Sequence, residues 1–310
     1  MKALVTGGAG FIGSHLCDEL IKKGWDVLVV DDLSSGNKNN IQHLFKNDSF
    51  EFKKIDIADE NQFSDTMTGI DMVYHLAAHP DIRAGNKNPN IDYNRTLLTT
   101  KIVLEAMREK KINKMFFAST SAVYGNMPEI LLNETTGGLN PISYYGASKL
   151  ASEALISAYA YMNDINALIF RFPNVVGSRL THGIIFDFIE KLQKNSEELI
   201  ILGDGKQKKQ YIHINDLING IMMLSENMNN GVNLYNISTE SFATVTEIAD
   251  FVCQHMKLKN VVYKFTGGNV GWKGDVPSFQ YDIRKIKSTG WTYAYTSIEA
   301  IEKTLFELNP

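Results

Sequence analysis

Two side chains with complementary acid–base chemistry stand four residues apart near the middle of the chain. Tyr145 is a weak acid and Lys149 is a cation, and in a helix this spacing puts both on one face. An ammonium group next to a phenol stabilises the phenolate. The pair could therefore take a proton from a hydroxyl group, or return it, near neutral pH. The spacing itself is common, so its meaning depends on the rest of the sequence.

A glycine-rich segment near the N-terminus could bind phosphate groups. Residues 6–13 read TGGAGFIG, which places Gly7, Gly10 and Gly13 at regular intervals. These glycines permit a tight turn and a close approach of the backbone to a pyrophosphate, which the N–H groups of the following helix would bind. An apolar run precedes the segment and a helical pattern follows it, as a dinucleotide-binding loop requires.

A carboxylate after the second apolar run indicates which dinucleotide binds. Asp31 lies 18 residues after Gly13, where a ribose-binding acid is expected. It can accept hydrogen bonds from the ribose 2′- and 3′-hydroxyls and would repel a 2′-phosphate, so the predicted cofactor is NAD, not NADP. Asp56 and Ile57 follow the third run and are predicted to flank the adenine, with Asp56 accepting from its amino group.

The elements that must position these residues alternate along the first half of the chain. Apolar runs without polar alternation predict buried strands, and helical patterns lie between them. The predicted strands cover residues 3–6, 27–31, 50–55, 72–76, 115–119 and 168–172, and the helices 13–23, 91–111 and 143–163. We therefore predict an α/β fold with a Rossmann-type, doubly wound parallel sheet. Ser119 and Thr120 would lie at its carboxyl edge, where a hydroxyl could contact the substrate oxygen that Tyr145 deprotonates.

After residue 173 the alternation of strand and helix breaks down. The predicted helices there are 183–193, 216–225, 245–256 and 297–307, and the predicted strands are 199–202 and 210–213. We predict a NAD-binding Rossmann domain over residues 1–173, to which segments near 206–237 return. Residues 174–310 would mainly form a smaller, substrate-binding C-terminal lobe.

Composition excludes several classes of protein. With 44% hydrophobic and 21% charged residues among 310, the chain resembles an ordinary globular protein. A formal net charge of −4 without a basic stripe argues against a nucleic-acid partner. No apolar run reaches the ~18 residues that a membrane span needs, and no signal-peptide pattern opens the sequence. The distant cysteines, Cys17 and Cys253, suggest reduced thiols in a cytoplasmic protein without a metal.

Taken together, these motifs resemble the extended short-chain dehydrogenase/reductases, specifically the nucleotide-sugar 4-epimerases typified by UDP-glucose 4-epimerase. The resemblance runs nearly end to end. The segments that carry it are residues 6–13, 31, 76–78, 119–125, 143–149, 171–177, 211–213 and 274–277.

The resemblance implies roles for individual residues. Tyr145 would be the base, Lys149 its partner and Thr120 the hydroxyl that assists it. The implied cofactor-binding residues are Gly7, Gly10, Phe11, Ile12, Gly13, Asp31, Leu33, Ser35, Gly36, Asp56, Ile57, Leu76, Ala77, Ala78, Ser119, Tyr145, Lys149, Phe172 and Val175. The implied substrate-binding residues are Thr120, Tyr145, Asn174, Arg179, Lys209, Asp275 and Arg83.

The chain departs from the family pattern at several positions. Thr96 replaces a cofactor-side asparagine, and Lys209 replaces an arginine, which keeps the charge but loses the bidentate geometry for a phosphate. Trp272 and Lys273 stand where the family has Arg-Pro. The charge of the missing diphosphate arginine could come from Lys273, Lys209 or Arg179.

These departures bear on the reaction, which we predict to be 4-epimerisation of a nucleotide sugar. The favoured substrates are UDP-glucose and UDP-galactose. Ser121 and Ala122 occupy the positions of the Asp-Glu pair of family dehydratases, which disfavours dehydration. Phe279 would crowd an N-acetyl group. Arg179 and His182 could bind a sugar carboxylate, so the alternative is a UDP-glucuronate 4-epimerase or another nucleotide-sugar epimerase of the same family.

A NAD-sensing protein without catalysis is a further alternative, which the presence of Tyr145, Lys149 and Thr120 disfavours. By analogy with the family, we expect a homodimer that pairs helices near 91–111 and 143–163.

Overall fold

The computed structural model describes residues 1–79, 81–85, 87–127, 130–272, 274–276 and 278–308. Their strands, in chain order, are β1 (Lys2–Thr6), β2 (Asp26–Val30), β3 (Phe50–Lys53), β4 (Met72–His75), β5 (Lys114–Thr120), β6 (Leu131–Leu132), β7 (Asn166–Phe172), β8 (Asn174–Val176), β9 (Glu198–Ile201), β10 (Lys208–Lys209), β11 (Tyr211–His213), β12 (Val232–Asn236), β13 (Ala243–Thr244), β14 (Val262–Phe265) and β15 (Gln280–Tyr281).

The α-helices are α1 (Phe11–Lys22), α2 (Glu60–Asp65), α3 (Ile82–Gly85), α4 (Asn90–Asp92), α5 (Thr99–Lys110), α6 (Tyr144–Asn163), α7 (Ile184–Lys194), α8 (Ile214–Ser225), α9 (Val245–His255), α10 (Arg284–Lys287) and α11 (Ser297–Leu308). Short 3-10 helices cover Lys38–Lys46 and Ser121–Tyr124, and a π-helix covers Tyr93–Leu98.

The described residues fall into two compact units. The first contains Met1–Gly125, Leu139–Arg171 and Ile218–Tyr235, and the second contains Asn126–Gly138, Phe172–Leu217 and Asn236–Pro310. The predicted first domain, 1–173, differs from the first unit because residues 126–138 and 172–173 group with the second unit. Residues 218–235, part of the region near 206–237 that was expected to return to the first domain, group with the first unit.

The first unit is built on a seven-stranded sheet with the order β12-β7-β5-β4-β1-β2-β3. The pairs β1–β2, β2–β3, β1–β4 and β4–β5 are parallel. From β1 the chain builds outwards to β3 and then crosses to β4 on the other side, so the strand order reverses between β1 and β4. The predicted Rossmann-type parallel sheet is confirmed, and a ligand crevice is expected at the carboxyl ends of the strands at this reversal.

The core of the first unit explains why its strands read as uninterrupted apolar runs. Leu4, Val73 and Phe117 project from the sheet into a cluster that also contains Val103 of α5 and Ile156 of α6. Helices cover these strands, so both faces need apolar side chains. This packing holds α5 and α6 against the sheet.

The helix predicted over 91–111 is interrupted, contrary to the sequence-based expectation. A short α4 leads into the π-helix Tyr93–Leu98, and α5 begins only at Thr99. The Thr99 hydroxyl donates to the carbonyl of Arg95, and the Thr100 hydroxyl donates to that of Thr96. Hydroxyls that bond back to the preceding turn compete with the helical hydrogen bonds, which accounts for the widened turn.

The second unit consists of small sheets and helices. The pairs β8–β11, β9–β14 and β6–β15 are parallel, and β10–β13 is antiparallel. Its main helices, α7, α9 and α11, agree within a few residues with the predicted ones. Among the described residues no helix is long and apolar enough to span a membrane, and no cluster of potential metal ligands occurs. Cys17 and Cys253 are buried and form no disulfide.

A buried histidine at the end of β4 makes the fold sensitive to acid. His75 is inaccessible to solvent, with Nδ1 2.7 Å from the Thr6 hydroxyl and Nε2 3.1 Å from that of Thr100. Because the Thr100 hydrogen is donated to a carbonyl, Nε2 is the donor and Nδ1 accepts from Thr6, which requires a neutral ring. Burial, and then the charge of Lys149, lower the pKa of His75 to about 3.

The free energy of unfolding should therefore decrease as the pH is lowered. Below the unfolded-state pKa of 6.5, the unfolded chain binds a proton that the folded chain excludes. Between this pKa and the lower pKa of the folded state, His75 should decrease the free energy of unfolding by about 1.4 kcal/mol for each pH unit. Denaturant titrations of His75→Gln should show a shallower dependence over pH 4–6.5 than those of the wild-type protein. Equal slopes would show that His75 is not buried in a neutral state.

Candidate active site

The glycine loop has the close backbone packing that a pyrophosphate cradle needs. Gly7 adopts φ +69°, and a Cβ there would lie 2.8 Å from the backbone nitrogen of Ala77. A Cβ on Gly13 would lie 2.2 Å from the carbonyl oxygen of Gly7. No other residue fits at either position, so α1 begins directly against the end of β1. Phe11 and Ile12 form its first turn, where N–H groups are available to an anion.

Asp31 lies next to this loop, just beyond β2. Its carboxylate accepts hydrogen bonds from the backbone nitrogens of Ala9, at 3.0 Å, and Leu33, at 2.8 Å. Burial raises the pKa of Asp31, and the two amides act in the opposite direction. Gly36 packs against both carboxylate oxygens. Since each oxygen has two lone pairs, the carboxylate can still accept from ribose hydroxyls.

Sequence reasoning missed an ion bridge at the neighbouring strand ends. Arg95 Nη1 lies 2.9 Å from Asp32 and 2.8 Å from Asp56. The other oxygen of Asp56 accepts from the backbone nitrogen of Ala58. The carboxylate predicted to contact the adenine amino group thus already has two partners. No sequence pattern connects these residues, because Arg95 is distant from both acids along the chain.

The predicted catalytic residues of the first unit come together. Ser143 caps α6 by accepting from the backbone nitrogen of Gly146, at 3.1 Å. A Cβ on Gly146 would lie 2.5 Å from the Ala122 carbonyl oxygen, so only glycine lets α6 pack this closely on the turn after β5. As a result, the Thr120 hydroxyl forms a hydrogen bond with the Tyr145 phenol.

Lys149 projects from the next turn of α6 into the interior. Its Nζ donates to the carbonyl of Ala118 at 2.6 Å, lies 4.5 Å from the Phe117 ring centroid and 5.9 Å from that of Tyr145. Burial lowers the pKa of Lys149 to about 7, and the charge of Glu153 acts against this shift.

The acid–base balance of the pair differs from the simple expectation. Burial raises the pKa of Tyr145, the Asp92 carboxyl raises it further, and the hydrogen bond from Thr120 lowers it. The sequence led us to expect a lowered pKa for Tyr145, because the sequence does not show that folding removes the phenol from water. Tyr145 therefore needs positive charge nearby to act as a base at neutral pH.

Asp92 and Glu153 are buried acids that sequence reasoning did not single out. Neither carboxylate oxygen of Asp92 has a hydrogen-bond partner within the described part of the chain, and burial raises its pKa. Glu153 accepts from the Ser119 hydroxyl and from Arg171. The sequence contained one indication of the role of Glu153: it follows Lys149 by four residues, which places both on the same face of α6.

The remaining cofactor candidates are distributed over both units. Leu76, Ala77 and Ala78 follow β4 in the first unit, while Phe172 and Val175 belong to the second. Ile57 is buried, and Ser35 lies in the loop between Asp31 and Gly36. Their contacts with a cofactor stay predictions.

Most substrate candidates belong to the second unit. Lys209 Nζ lies 2.5 Å from Asp275 Oδ1, and the other oxygen of Asp275 accepts from the backbone nitrogen of Gly271. Two residues predicted to contact the substrate separately thus form one ion pair. Asn174 is exposed in β8, and Arg179 adopts φ +64°. Lys273, the other candidate for the missing cation, lies outside the described residues.

Arg83, a substrate candidate of the first unit in addition to Thr120 and Tyr145, is exposed at the surface. Its Nε lies 3.8 Å from Asp81, and 62% of the side chain is accessible. A contact of Arg83 with the substrate stays a prediction.

The first unit fits a dinucleotide on its own geometry. Glycines stand where a Cβ would collide with the backbone, the N-terminus of α1 follows directly, and Asp31 lies beside the loop. Gly7 to Gly13 would hold the pyrophosphate and Asp31 the ribose. Lys149 and Tyr145 lie close to the carboxyl end of β5, in the same sheet as β1 and β2.

Comparisons with known proteins agree with this interpretation. The model of the NAD dependent epimerase/dehydratase family matches residues 3–238. A putative UDP-glucose 4-epimerase from Methanocaldococcus jannaschii is 34% identical over 313 residues, which cover 97% of this chain and 96% of the relative.

Two solved structures are similar over 99% of this chain and 98% of their own. One is a UDP-galactose 4-epimerase, with 35% identity and a TM-score of 0.87. The other is the UDP-glucuronic acid 4-epimerase from Bacillus cereus in complex with UDP-glucuronic acid and NAD, with 29% identity and a TM-score of 0.90. The resemblance inferred from the motifs is confirmed: the chain belongs to the NAD dependent epimerase/dehydratase family.

Proposed function

We propose that this protein is a NAD-dependent 4-epimerase of a nucleotide sugar, with UDP-glucose and UDP-galactose as its substrates. The observation that carries the proposal is the association of Thr120, Tyr145 and Lys149 at the carboxyl end of β5. Ser121 and Ala122 follow directly, so this turn lacks the carboxylates that elimination of water would use. The similarity to a putative UDP-glucose 4-epimerase and to a UDP-galactose 4-epimerase supports the choice of substrate.

The proton chemistry follows from the three side chains. Tyr145 would take the proton of the sugar hydroxyl at C4 and later return it. Thr120, hydrogen-bonded to Tyr145, is placed to contact the same oxygen. Lys149 supplies positive charge beneath the phenol and so opposes the effect of its burial. NAD, when bound in the glycine loop, supplies the hydride acceptor and donor for C4.

Substrate anchoring would be the task of the second unit. Lys209 is paired with Asp275, so in this geometry its charge is already balanced. Asn174 and Arg179 are the other candidates in this unit for contact with the diphosphate. Phe279 is buried and packs edge-to-face on Tyr281, with ring centroids 5.5 Å apart. A ring held in place this way could restrict the space for a bulky C2 substituent.

A uronate substrate is the second candidate function. It is favoured by the similarity to a UDP-glucuronic acid 4-epimerase and by Arg179 and His182, which could bind a carboxylate.

We also propose that the protein is a homodimer in the cytoplasm. The exposed Tyr161 and Met162 on α6, 88% and 76% accessible, support a contact through this helix.

Incubation with single nucleotide sugars tests the reaction. The purified protein with NAD should convert UDP-galactose to UDP-glucose without net accumulation of NADH, as measured by chromatography of the products and absorbance at 340 nm. Conversion of UDP-glucuronate alone would transfer the proposal to the uronate, with Arg179 as the carboxylate-binding residue. Steady production of NADH, or no 4-epimer from either substrate, would contradict both.

Replacement of Tyr145 tests the acid–base assignment. Tyr145→Phe keeps the ring but removes the proton acceptor, and kcat should fall by ~10²–10⁴-fold, with NAD affinity retained in calorimetric titration. Tyr144→Phe is the matched control, because Tyr144 is 51% exposed and lies one residue away on α6. It should leave kcat unchanged. Equal effects of the two substitutions would remove Tyr145 from the mechanism.

Replacement of Asp31 tests the choice of cofactor. Asp31→Asn keeps the size of the side chain but removes the charge that repels a 2′-phosphate. NAD binding should weaken by about tenfold to a hundredfold, the value of a hydrogen bond to a charged group, and the preference over NADP should narrow. The control Asp32→Asn changes the adjacent carboxylate, which bonds Arg95, and should preserve the preference. A wild-type protein that binds NADP more tightly than NAD would contradict the placement of Asp31.

A further inference from the structure

A buried ion pair lies beside Lys149, and the proposed chemistry does not use it. Glu153 follows Lys149 by one turn of α6, and Arg171 lies near the end of β7. They are only 6% and 4% exposed. Arg171 donates to Glu153 through Nε, at 3.0 and 3.2 Å from the two oxygens, and through Nη2, at 2.6 Å. A guanidinium and a carboxylate in this geometry define each other's position closely.

The same carboxylate connects α6 to the end of β5. The Ser119 hydroxyl donates to Glu153 Oε1. The residue before it, Ala118, provides the carbonyl that Lys149 contacts, and the residue after it, Thr120, carries the hydroxyl at the active site. Glu153 thus fixes the strand end from which both contacts arise. Arg171 fixes Glu153 from the neighbouring strand, since β7 and β5 are adjacent in the sheet.

The charge of Glu153 acts on the buried ammonium group. Removing an ammonium from water disfavours its charged form, which is why burial lowers the pKa of Lys149. Glu153 opposes that lowering. The pair with Arg171 supplies the carboxylate with hydrogen bonds, so that a negative charge can remain beside Lys149 in the interior.

The groups around Lys149 on other elements do not supply this charge. His75 of β4 is neutral, as its hydrogen bonds require. Asp92, next to α6, acts on Tyr145 and raises its pKa. Tyr124, after β5, lies against Arg171, with the guanidinium carbon 4.8 Å from the ring centroid.

We propose that Glu153 and Arg171 are positioning residues that act through Lys149. Their ion pair keeps the ammonium group charged and fixed against the carbonyl of Ala118, so that Tyr145 can exchange a proton near neutral pH. This inference rests on the proposed function to the extent that Tyr145 and Lys149 must be the acid–base pair.

The direct test is the titration of Lys149 itself. Glu153→Gln keeps the shape of the side chain and removes its charge, and the pKa of Lys149 should fall by about one unit, as expected for the loss of a nearby opposite charge. The measurement is an NMR pH titration of protein labelled at lysine ¹³Cε and ¹⁵Nζ, in the presence of NAD and without a sugar substrate. Lys149→Met identifies the resonance.

The pH dependence of turnover gives a second readout. In Glu153→Gln, the acid limb of kcat/KM should move to higher pH and the alkaline limb to lower pH, because less ammonium is present to support the phenolate. The KM for the nucleotide sugar should stay near the wild-type value at the optimum. A merely structural loss would lower the whole profile without moving its limbs.

Two further variants keep the test decisive. Tyr159→Phe removes a hydrogen bond from the same helix to Glu105 without changing a charge near Lys149, and neither readout should move. If Glu153→Gln does not fold, the double variant Glu153→Gln, Arg171→Gln leaves no unpaired guanidinium in the interior. It should show a smaller fall in the Lys149 pKa, because a positive charge is removed together with the negative one.

The possible results separate this inference from the proposed function. An unchanged Lys149 pKa in a folded variant of an active enzyme would overturn the inference alone. A wild-type protein that converts no nucleotide sugar would overturn the proposed function, whatever the titration of Lys149 shows.

Discussion

The burial of one ammonium group is the constraint on which the candidate site depends. Lys149 is 2% exposed, although a charged amine in the protein interior is costly unless its hydrogen bonds and charge are compensated. Three features compensate it here: the carbonyl of Ala118, the face of the Phe117 ring and the carboxylate of Glu153. The first two arise from the last residues of β5, so the helix and the strand must meet at short distance.

That distance is set by a residue with no side chain. Gly146 allows the first turn of α6 to lie against the Ala122 carbonyl, where any Cβ would collide. The same approach brings Tyr145 to Thr120. The meeting of Tyr145 with Thr120 and the burial of Lys149 thus both depend on one close contact between α6 and the turn after β5. This explains how a short segment of sequence can carry most of the proposed proton chemistry.

Opposing electrostatic effects then leave the site sensitive to charge. Burial raises the pKa of Tyr145 and lowers that of Lys149, so both side chains are pushed towards their neutral forms. Added positive charge near the phenol would favour the phenolate, whereas Asp92 acts in the opposite direction. A site with this balance responds to small changes in its surroundings, which is useful for a group that must both accept and return a proton.

The local motifs could be predicted from the sequence because each depends on neighbours in the chain. The glycine loop, the helix that carries Tyr145 and Lys149, and the apolar strands all have short periods, and they led to the correct fold class and family. The position of Asp31 beside the loop was also predictable, since it follows from one strand and one helix. The interrupted helix at 93–98 was not, because it depends on the hydroxyls of Thr99 and Thr100 and not on hydrophobic spacing.

Contacts between distant segments were decided only by the tertiary structure. The bridge from Arg95 to Asp32 and Asp56, and the pairing of Lys209 with Asp275, join residues with no common pattern. The same is true of Glu153 and Arg171, which meet because α6 packs on β5 and β7 is the neighbouring strand. Residue types indicate which groups can carry charge, but the protonation of a buried group depends on solvent exclusion and on the charges brought near it. Those quantities exist only once the chain has folded.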